Sequence, residues 1–251
     1  MTDRIFSKDA TKFAQNIYAT RKGRVREAVL KEDLAFLLQH ASPLHVLDAG
    51  AGLGQVNQWF AEAGHRVLHL DGAEDMVASA RQRHAQAGLS QQYEYRVAPL
   101  QSLGEEPLQF DLVCCHAVLE WLADPFAALQ VLSSKVAPGG WFSLMFYNRT
   151  AKLMANMTYG NLDYVLAGLQ VKKKVRLSPQ RPLEIPQVKN WLSQLPLTVV
   201  QHSGIRCFND YIKEAERIDE QELIALELQY RRAEPYRSLG RYQHLLLRKE
   251  K

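Results

Sequence analysis

Apolar positions change period several times along this chain, and each change marks an element. Residues 1–40 carry Phe13, Ile17, Val25, Val29, Leu34, Leu37 and Leu38 at helical spacing among polar and basic neighbours. That predicts an amphipathic helical region, ended by Pro43. Residues 44–48 are a short apolar run closing on Gly50, Gly52 and Gly54. Helical periodicity then resumes as far as Gly64, a glycine placed as a C-terminal cap. Residues 66–71 read as a second strand, 74–88 as a helix and 93–98 as a third strand. Residues 110–117 are apolar enough for a strand buried on both faces. Residues 124–136 read as a helix stopped by Pro138-Gly139-Gly140, and 141–147 as a fifth strand.

Strand and helix alternate five times at short spacing. The pattern predicts an α/β fold, a doubly wound, Rossmann-like parallel sheet with helices on both faces. After Asn148 the regularity breaks. Residues 149–185, which hold Lys172, Lys173, Lys174, Arg176, Pro179 and Pro182, read as an insertion or mobile cap. Residues 187–195 are helical in pattern. Residues 197–208 and 241–249 are strand-like, separated by a long charged helix near 211–232. The expectation is a single domain over 1–251, with a helical region at 1–40, a ligand-binding core at 44–148, a cap at 149–185 and completion of the sheet by 186–251.

Composition narrows the class. The chain has 251 residues, 47% hydrophobic and 23% charged, with a net charge of +4. A chain of this length and balance buries a core without disulfides or metals and is not disordered. Charge is uneven: Arg21, Lys22, Arg24 and Arg26 lie together without acids, as do Lys172–Lys174 and Arg176. Such clusters suggest an anionic partner. Cys114 and Cys115 are adjacent in a strand and point to opposite faces, so buried reduced thiols are expected rather than a disulfide or metal pair. With no apolar run near ~20 residues, no membrane span is expected. These features read as a cytoplasmic protein.

The strongest local signal is Asp48-Ala49-Gly50-Ala51-Gly52-Leu53-Gly54, after a strand and before a helix. Glycines there let the backbone approach a ligand closely. The dinucleotide fingerprint needs its third glycine where Gln55 stands, which disfavours a nicotinamide dehydrogenase. A compact ligand without pyrophosphate suits the turn, and S-adenosyl-L-methionine is such a ligand. Asp71 ends the second strand, where an acid accepts hydrogen bonds from ribose hydroxyls. Ala98-Pro99-Leu100 follows the third strand, where adenine would lie. His116 ends the fourth and reads either as a structural residue or as a ligand contact. No His/Cys cluster has metal spacing.

Residues 44–148 resemble the class I methyltransferase superfamily, which uses S-adenosylmethionine. A closer resemblance rests on Asn16-Ile17-Tyr18, His116-Ala117-Val118-Leu119-Glu120-Trp121, Ser143–Asn148, Asn161–Val165 with Lys172–Lys174, and Leu239-Gly240-Arg241-Tyr242. Together these resemble the bacterial tRNA 5-carboxymethoxyuridine methyltransferases over nearly the whole chain. The resemblance implies methylation of the carboxylate of a wobble uridine to its methyl ester. It places cofactor contacts at Arg26, Gly50, Ala51, Asp71, Pro99, Leu100 and His116, and Gly52 joins them as part of the same turn. Ala51 departs from the glycine of relatives, which requires ordinary backbone dihedrals there.

A carboxyl group with a pKa near ~4 is already ionised at neutral pH, so this chemistry needs no general base. No catalytic base is therefore assigned. Tyr147, Asn148, Arg206 and Arg241 are the candidates for the uridine side. Lys172, Lys173, Lys174 and Arg176 are candidates for contacts to the phosphates of a tRNA anticodon loop, with help from Arg21, Lys22 and Arg24. The alternatives are an O-methyltransferase of small molecules and a non-catalytic module that binds S-adenosylmethionine.

Overall fold

A computed structural model describes residue 3 and residues 20–170, 181–214 and 217–250. Lys172, Lys173, Lys174 and Arg176 lie outside the described residues. The chain runs α1 (Arg21–Leu38), β1 (His45–Ala49), α2 (Gln55–Glu62), β2 (Arg66–Asp71), α3 (Glu74–Gln86), β3 (Tyr93–Val97), β4 (Phe110–His116), α4 (Pro125–Lys135) and β5 (Val136–Tyr147). It continues through α5 (Arg149–Thr158), α6 (Leu162–Leu166), α7 (Ile185–Leu192), β6 (Leu197–Ile205), α8 (Glu220–Tyr230), α9 (Tyr236–Leu239) and β7 (Tyr242–Lys249).

The strands form one sheet in the order β3-β2-β1-β4-β5-β7-β6. Strands β1 to β5 pair in parallel, as their helical crossovers require. Strand β7 slots between β5 and β6 antiparallel to both. Alternation along each strand sends neighbours to opposite faces. Leu47, Val113 and Cys115 pack with Leu129 and Leu132 of α4 and Val188 of α7. Val46, Leu112 and Cys114 pack on the other face with Leu34 and Leu37 of α1 and Phe60 of α2. The adjacent thiols are thus buried and free, in separate halves of the core. Each fully buried Leu contributes roughly 1.5–3 kcal/mol.

Helix α1 begins at a Thr20 cap, whose hydroxyl accepts from the Gly23 N–H. It turns one face inward along Arg26, Leu30, Asp33, Leu34 and Leu37. Two of those inward residues, Arg26 and Asp33, are charged.

Several boundaries differ from the sequence expectation. The Pro138-Gly139-Gly140 stretch does not separate a helix from a strand. Strand β5 begins at Val136 and runs through it, with a register shift against Phe110 and Leu112. Gly140 is pressed close to carbonyl oxygens, so that an added Cβ would lie 2.9 Å from Ala137 O. The expected long helix at 211–232 is shorter: α8 starts only where Asp219 caps it by accepting from Gln221 and Glu222 N–H. Within 149–170 the chain forms α5 and α6, and Ala151 and Ala155 are buried. Asn148 and Leu183 form a bridge that ties the two ends of this excursion together.

Candidate active site

Strands β1 and β4 lie side by side while their crossovers lead to opposite edges of the sheet. Open α/β sheets bind ligands at this switch point. Here the carboxyl ends of β1, β2 and β4 open on a cavity of about 220 Å³. Arg26, the Gly50–Gly52 turn, Asp71, Pro99, Leu100 and His116 all line it.

The turn is held by its own backbone. Gly50 and Ala51 N–H both donate to Leu70 O, at 2.8 and 3.0 Å. Gly50 has φ +74°, and an added Cβ would sit 2.5 Å from Val118 Cγ2. That close approach is why glycine stands there. Gly52 has φ +56° but open space where a Cβ would be. Ala51 is not among the residues with positive φ, so its methyl is accommodated without strain. Asp71 closes the loop: Oδ2 accepts from Gly52 N–H and Oδ1 from Ala73 N–H, both at 2.8 Å. Burial pushes its pKa up, while those backbone donors oppose the shift.

Two further acids form part of the same wall and were missed in the sequence. Asp48 accepts from Asn57 at 2.8 Å, and burial raises its pKa to about 7. Glu120, in the short turn at Leu119–Trp121, is 1% exposed, and its carboxyl faces backbone N–H groups of Glu120 itself and Tyr147 but no side-chain partner. Burial raises its pKa to about 7 as well. The signal for Glu120 was present, as an acid inside the apolar run Val118-Leu119-Glu120-Trp121-Leu122. Gln55, weighed only as a broken fingerprint, also lines the cavity with its Oε1 buried and unpaired.

The proposed uridine-side residues separate into different roles. Tyr147 and Tyr242 meet edge to face at 5.5 Å, and Tyr242 lines the cavity. The Arg241 guanidinium lies 5.0 Å over the Tyr147 ring, with its Nη1 buried and unpaired. Arg206 is instead locked to Asp210 through Nε, at 2.7 Å, and through its second amino group. Its pairing also holds Asp210 below the usual carboxylate range despite burial, and the side chain of Asp210 is only 6% exposed. Asn148 changes role altogether. Its amide donates to Ser238 O and Gly240 O, both at 2.9 Å, and its oxygen accepts from Thr150 N–H as the cap of α5. With donors and acceptor taken up by backbone, it fastens the turn and offers nothing to a ligand.

The N-terminal basic residues are engaged with the chain itself. Arg24 makes a bidentate pair with Glu220 at 2.6 Å, Arg21 donates to Ile218 O, and Lys22 lies 3.9 Å from Asp210.

A methyltransferase domain family model matches residues 47–144. The chain is 43% identical over 256 residues to the tRNA 5-carboxymethoxyuridine methyltransferase of Escherichia coli (strain K12), covering 99% of this chain and 97% of that protein. The chain belongs to the tRNA 5-carboxymethoxyuridine methyltransferase family. A more distant relative of this family member is the ubiquinone biosynthesis O-methyltransferase of Leptothrix cholodnii, 36% identical over 124 residues, about half of each chain. Among solved structures, magnesium protoporphyrin IX methyltransferase from Synechocystis PCC 6803 with bound SAH has the same fold, with a TM-score of 0.64 at 16% identity. The match covers 97% of this chain and 95% of that one.

The enzyme is a methyltransferase that uses S-adenosyl-L-methionine. Its cavity suits that cofactor chemically. Buried polar atoms without partners on Gln55 and His116 belong to its wall, and a nucleoside with a cationic amino-acid end brings groups to pair with them. Among the described residues no group could hold a metal ion, and no helix is long and apolar enough to cross a membrane.

Proposed function

We propose that this enzyme methylates the carboxylate of 5-carboxymethoxyuridine at the wobble position of tRNA, in the cytoplasm, to give the methyl ester. The observation that carries the reading is Arg241. It combines a buried, unpaired guanidinium nitrogen with a place beside Tyr242, which lines the cavity where Arg241 itself does not. A guanidinium with free donors fits a carboxylate better than any neutral acceptor. Arg206 is the weaker candidate, because Asp210 already takes its charge.

When bound, S-adenosylmethionine would supply the methyl carbon of its sulfonium to the carboxylate oxygen, sulfur keeping the electron pair of the broken bond, and no proton would move. The protein's task is placement, which is worth roughly 7–11 kcal/mol in well-oriented reactions. In this reading Asp71 accepts from the ribose, Arg26 pairs with the methionine carboxylate, Arg241 holds one substrate oxygen, and Tyr147 with Tyr242 walls off water. Burial pushes the Tyr147 phenol up to about 12, so it stays a neutral surface. Lys172–Lys174 and Arg176 would meet tRNA phosphates.

The test is nucleoside mass spectrometry of tRNA from cells that lack the protein. Loss of the methyl ester with accumulation of the free acid is expected. An unchanged nucleoside profile, together with turnover of a free small molecule by the purified protein, would replace this reading with a small-molecule O-methyltransferase.

A further inference from the structure

Three buried side chains and a half-buried one, from four elements, form a continuous hydrogen-bonded chain that ends at the cavity. Asp33 of α1 lies 2.9 Å from His244 Nδ1 of β7. His244 Nε2 lies 2.9 Å from Ser143 Oγ of β5. Ser143 Oγ lies 2.8 Å from His116 Nε2 of β4. Asp33, Ser143 and His244 are 0–1% exposed, and His116 forms part of the cavity wall. The other ring nitrogen, His116 Nδ1, is buried and has no partner. Methyl transfer to a carboxylate needs no base, so the proposed reaction leaves this chain without a task.

The proton positions follow from the two ends. Burial opposes the charge on Asp33, but hydrogen bonds from His244 and Arg231 outweigh it and hold its carboxyl well below the usual range. Asp33 is therefore an acceptor, and His244 Nδ1 carries the hydrogen between them. Arg231 and Arg232 also sit on Asp33 Oδ1, at 3.0 and 3.1 Å. At the near end His116 Nδ1 has no acceptor, and a buried N–H without one is costlier than a bare lone pair, so the His116 hydrogen sits on Nε2 and points at Ser143. Ser143 in turn gives its own hydrogen to His244 Nε2. The Ser143 oxygen then accepts from His116 Nε2–H, and the lone pair of His116 is left on Nδ1.

We propose that the Asp33–His244–Ser143 chain fixes His116 as its neutral Nε2–H tautomer, so that Nδ1 accepts a contact from the cationic end of the cofactor. This deepens the cofactor reading above and rests on it. Two cationic groups of S-adenosylmethionine can supply that contact, the ammonium N–H or the polarised sulfonium methyl, and the shared chemistry is a positive donor facing a lone pair. An imidazolium there would repel either. Burial, with the nearby Arg26, pushes the His116 pKa well below the ordinary imidazole value, in line with a neutral ring. Asp33, His244 and Ser143 are positioning residues: they act on the ligand only through His116.

The decisive comparison is binding of three ligands to the full chain and to Ser143→Ala, by calorimetry. S-adenosylmethionine carries both cations, S-adenosylhomocysteine only the ammonium, and 5′-methylthioadenosine neither. Ser143→Ala should weaken S-adenosylmethionine by about tenfold, the effect of one charge-assisted hydrogen bond, and leave methylthioadenosine within about twofold. An equal loss for S-adenosylhomocysteine identifies the ammonium, and an intact S-adenosylhomocysteine affinity identifies the sulfonium methyl. Unchanged affinities, or one loss common to all three ligands, overturn the proposal while the cofactor reading stands. A wild-type chain that binds none of them overturns both. Imidazole ¹H–¹⁵N spectra of the ligand-free wild type give a second readout that needs no variant to fold. Hydrogen on His116 Nε2 alone is expected, and hydrogen on Nδ1 defeats the proposal.

Discussion

The two sides of the cavity are built in different ways. On the β1, β2 and β4 side, each candidate cofactor residue but Arg26 stands at or just beyond the carboxyl end of a strand, within the span 47–144 that matches the methyltransferase domain family. On the β5–β7 side, Tyr147, Arg206, Asp210 and Arg241 come together from distant segments behind Tyr242, which lines the cavity, brought into contact by the antiparallel insertion of β7. The first side is local chemistry repeated at strand ends. The second is long-range assembly, where the partner of a side chain is decided by sheet order. Acids differ accordingly. Asp48 and Glu120 on the cofactor side are held up by burial without a cationic partner, whereas Asp210 is held down by Arg206.

The largest effect should come from the long-range side. Arg241→Ala should lower kcat/KM for the tRNA by about 100-fold, or ~2.7 kcal/mol, while the affinity for S-adenosylhomocysteine stays unchanged. Steady-state kinetics beside calorimetry checks it, and a matching loss of cofactor affinity would erase the division between the two sides. Next is Gly50→Ala, which forces a side chain into left-handed backbone, at ~1–2 kcal/mol, and against Val118, whose branched side chain is stiff. Cofactor affinity should fall by about 30-fold, read by calorimetry. An affinity within about twofold of wild type would show that the turn does not carry the ligand.

The smallest effect sharpens the contrast between the acids. The Glu120 pKa rises from its ordinary 4.5 to about 7 on folding. Between those values the native state binds the extra proton, so stability is fully present below the lower value and falls as pH rises toward 7. Glu120→Gln should flatten that decline, leaving the similar contribution of Asp48. Urea denaturation at a series of pH values from 4 to 8 measures it (about half a unit between points suffices). A decline as steep as that of wild type would mean that Glu120 is ionised in the folded chain.

The glycine turn, Asp71 and the strand alternation were readable because each depends on neighbours a few residues away. A strand period of two, a glycine at a tight turn and an acid at a strand end are properties of short segments. So were the opposite faces of Cys114 and Cys115. The expected helix at 211–232 failed because charged, helix-forming residues do not say where a cap lies, and Asp219 starts the helix only at Glu220. Asn148 and Arg206 have suitable chemistry, yet each is taken up by groups remote or local that composition does not reveal: Gly240 O lies 92 positions from Asn148, and Asp210 four positions from Arg206 across a turn.

By itself, then, the sequence determined the periodic layers, the switch point and the turn that meets the cofactor, since these arise from backbone sterics and from apolar spacing within single elements. Only the tertiary structure decided which of two arginines keeps a free donor, which acids lose their charge, and that Asp33, His244, Ser143 and His116 share one hydrogen-bonded chain. The physical reason is that charge state and hydrogen-bond polarity depend on burial and on partners up to 211 residues away along the chain. No local pattern encodes those distances; packing seven strands in one order does.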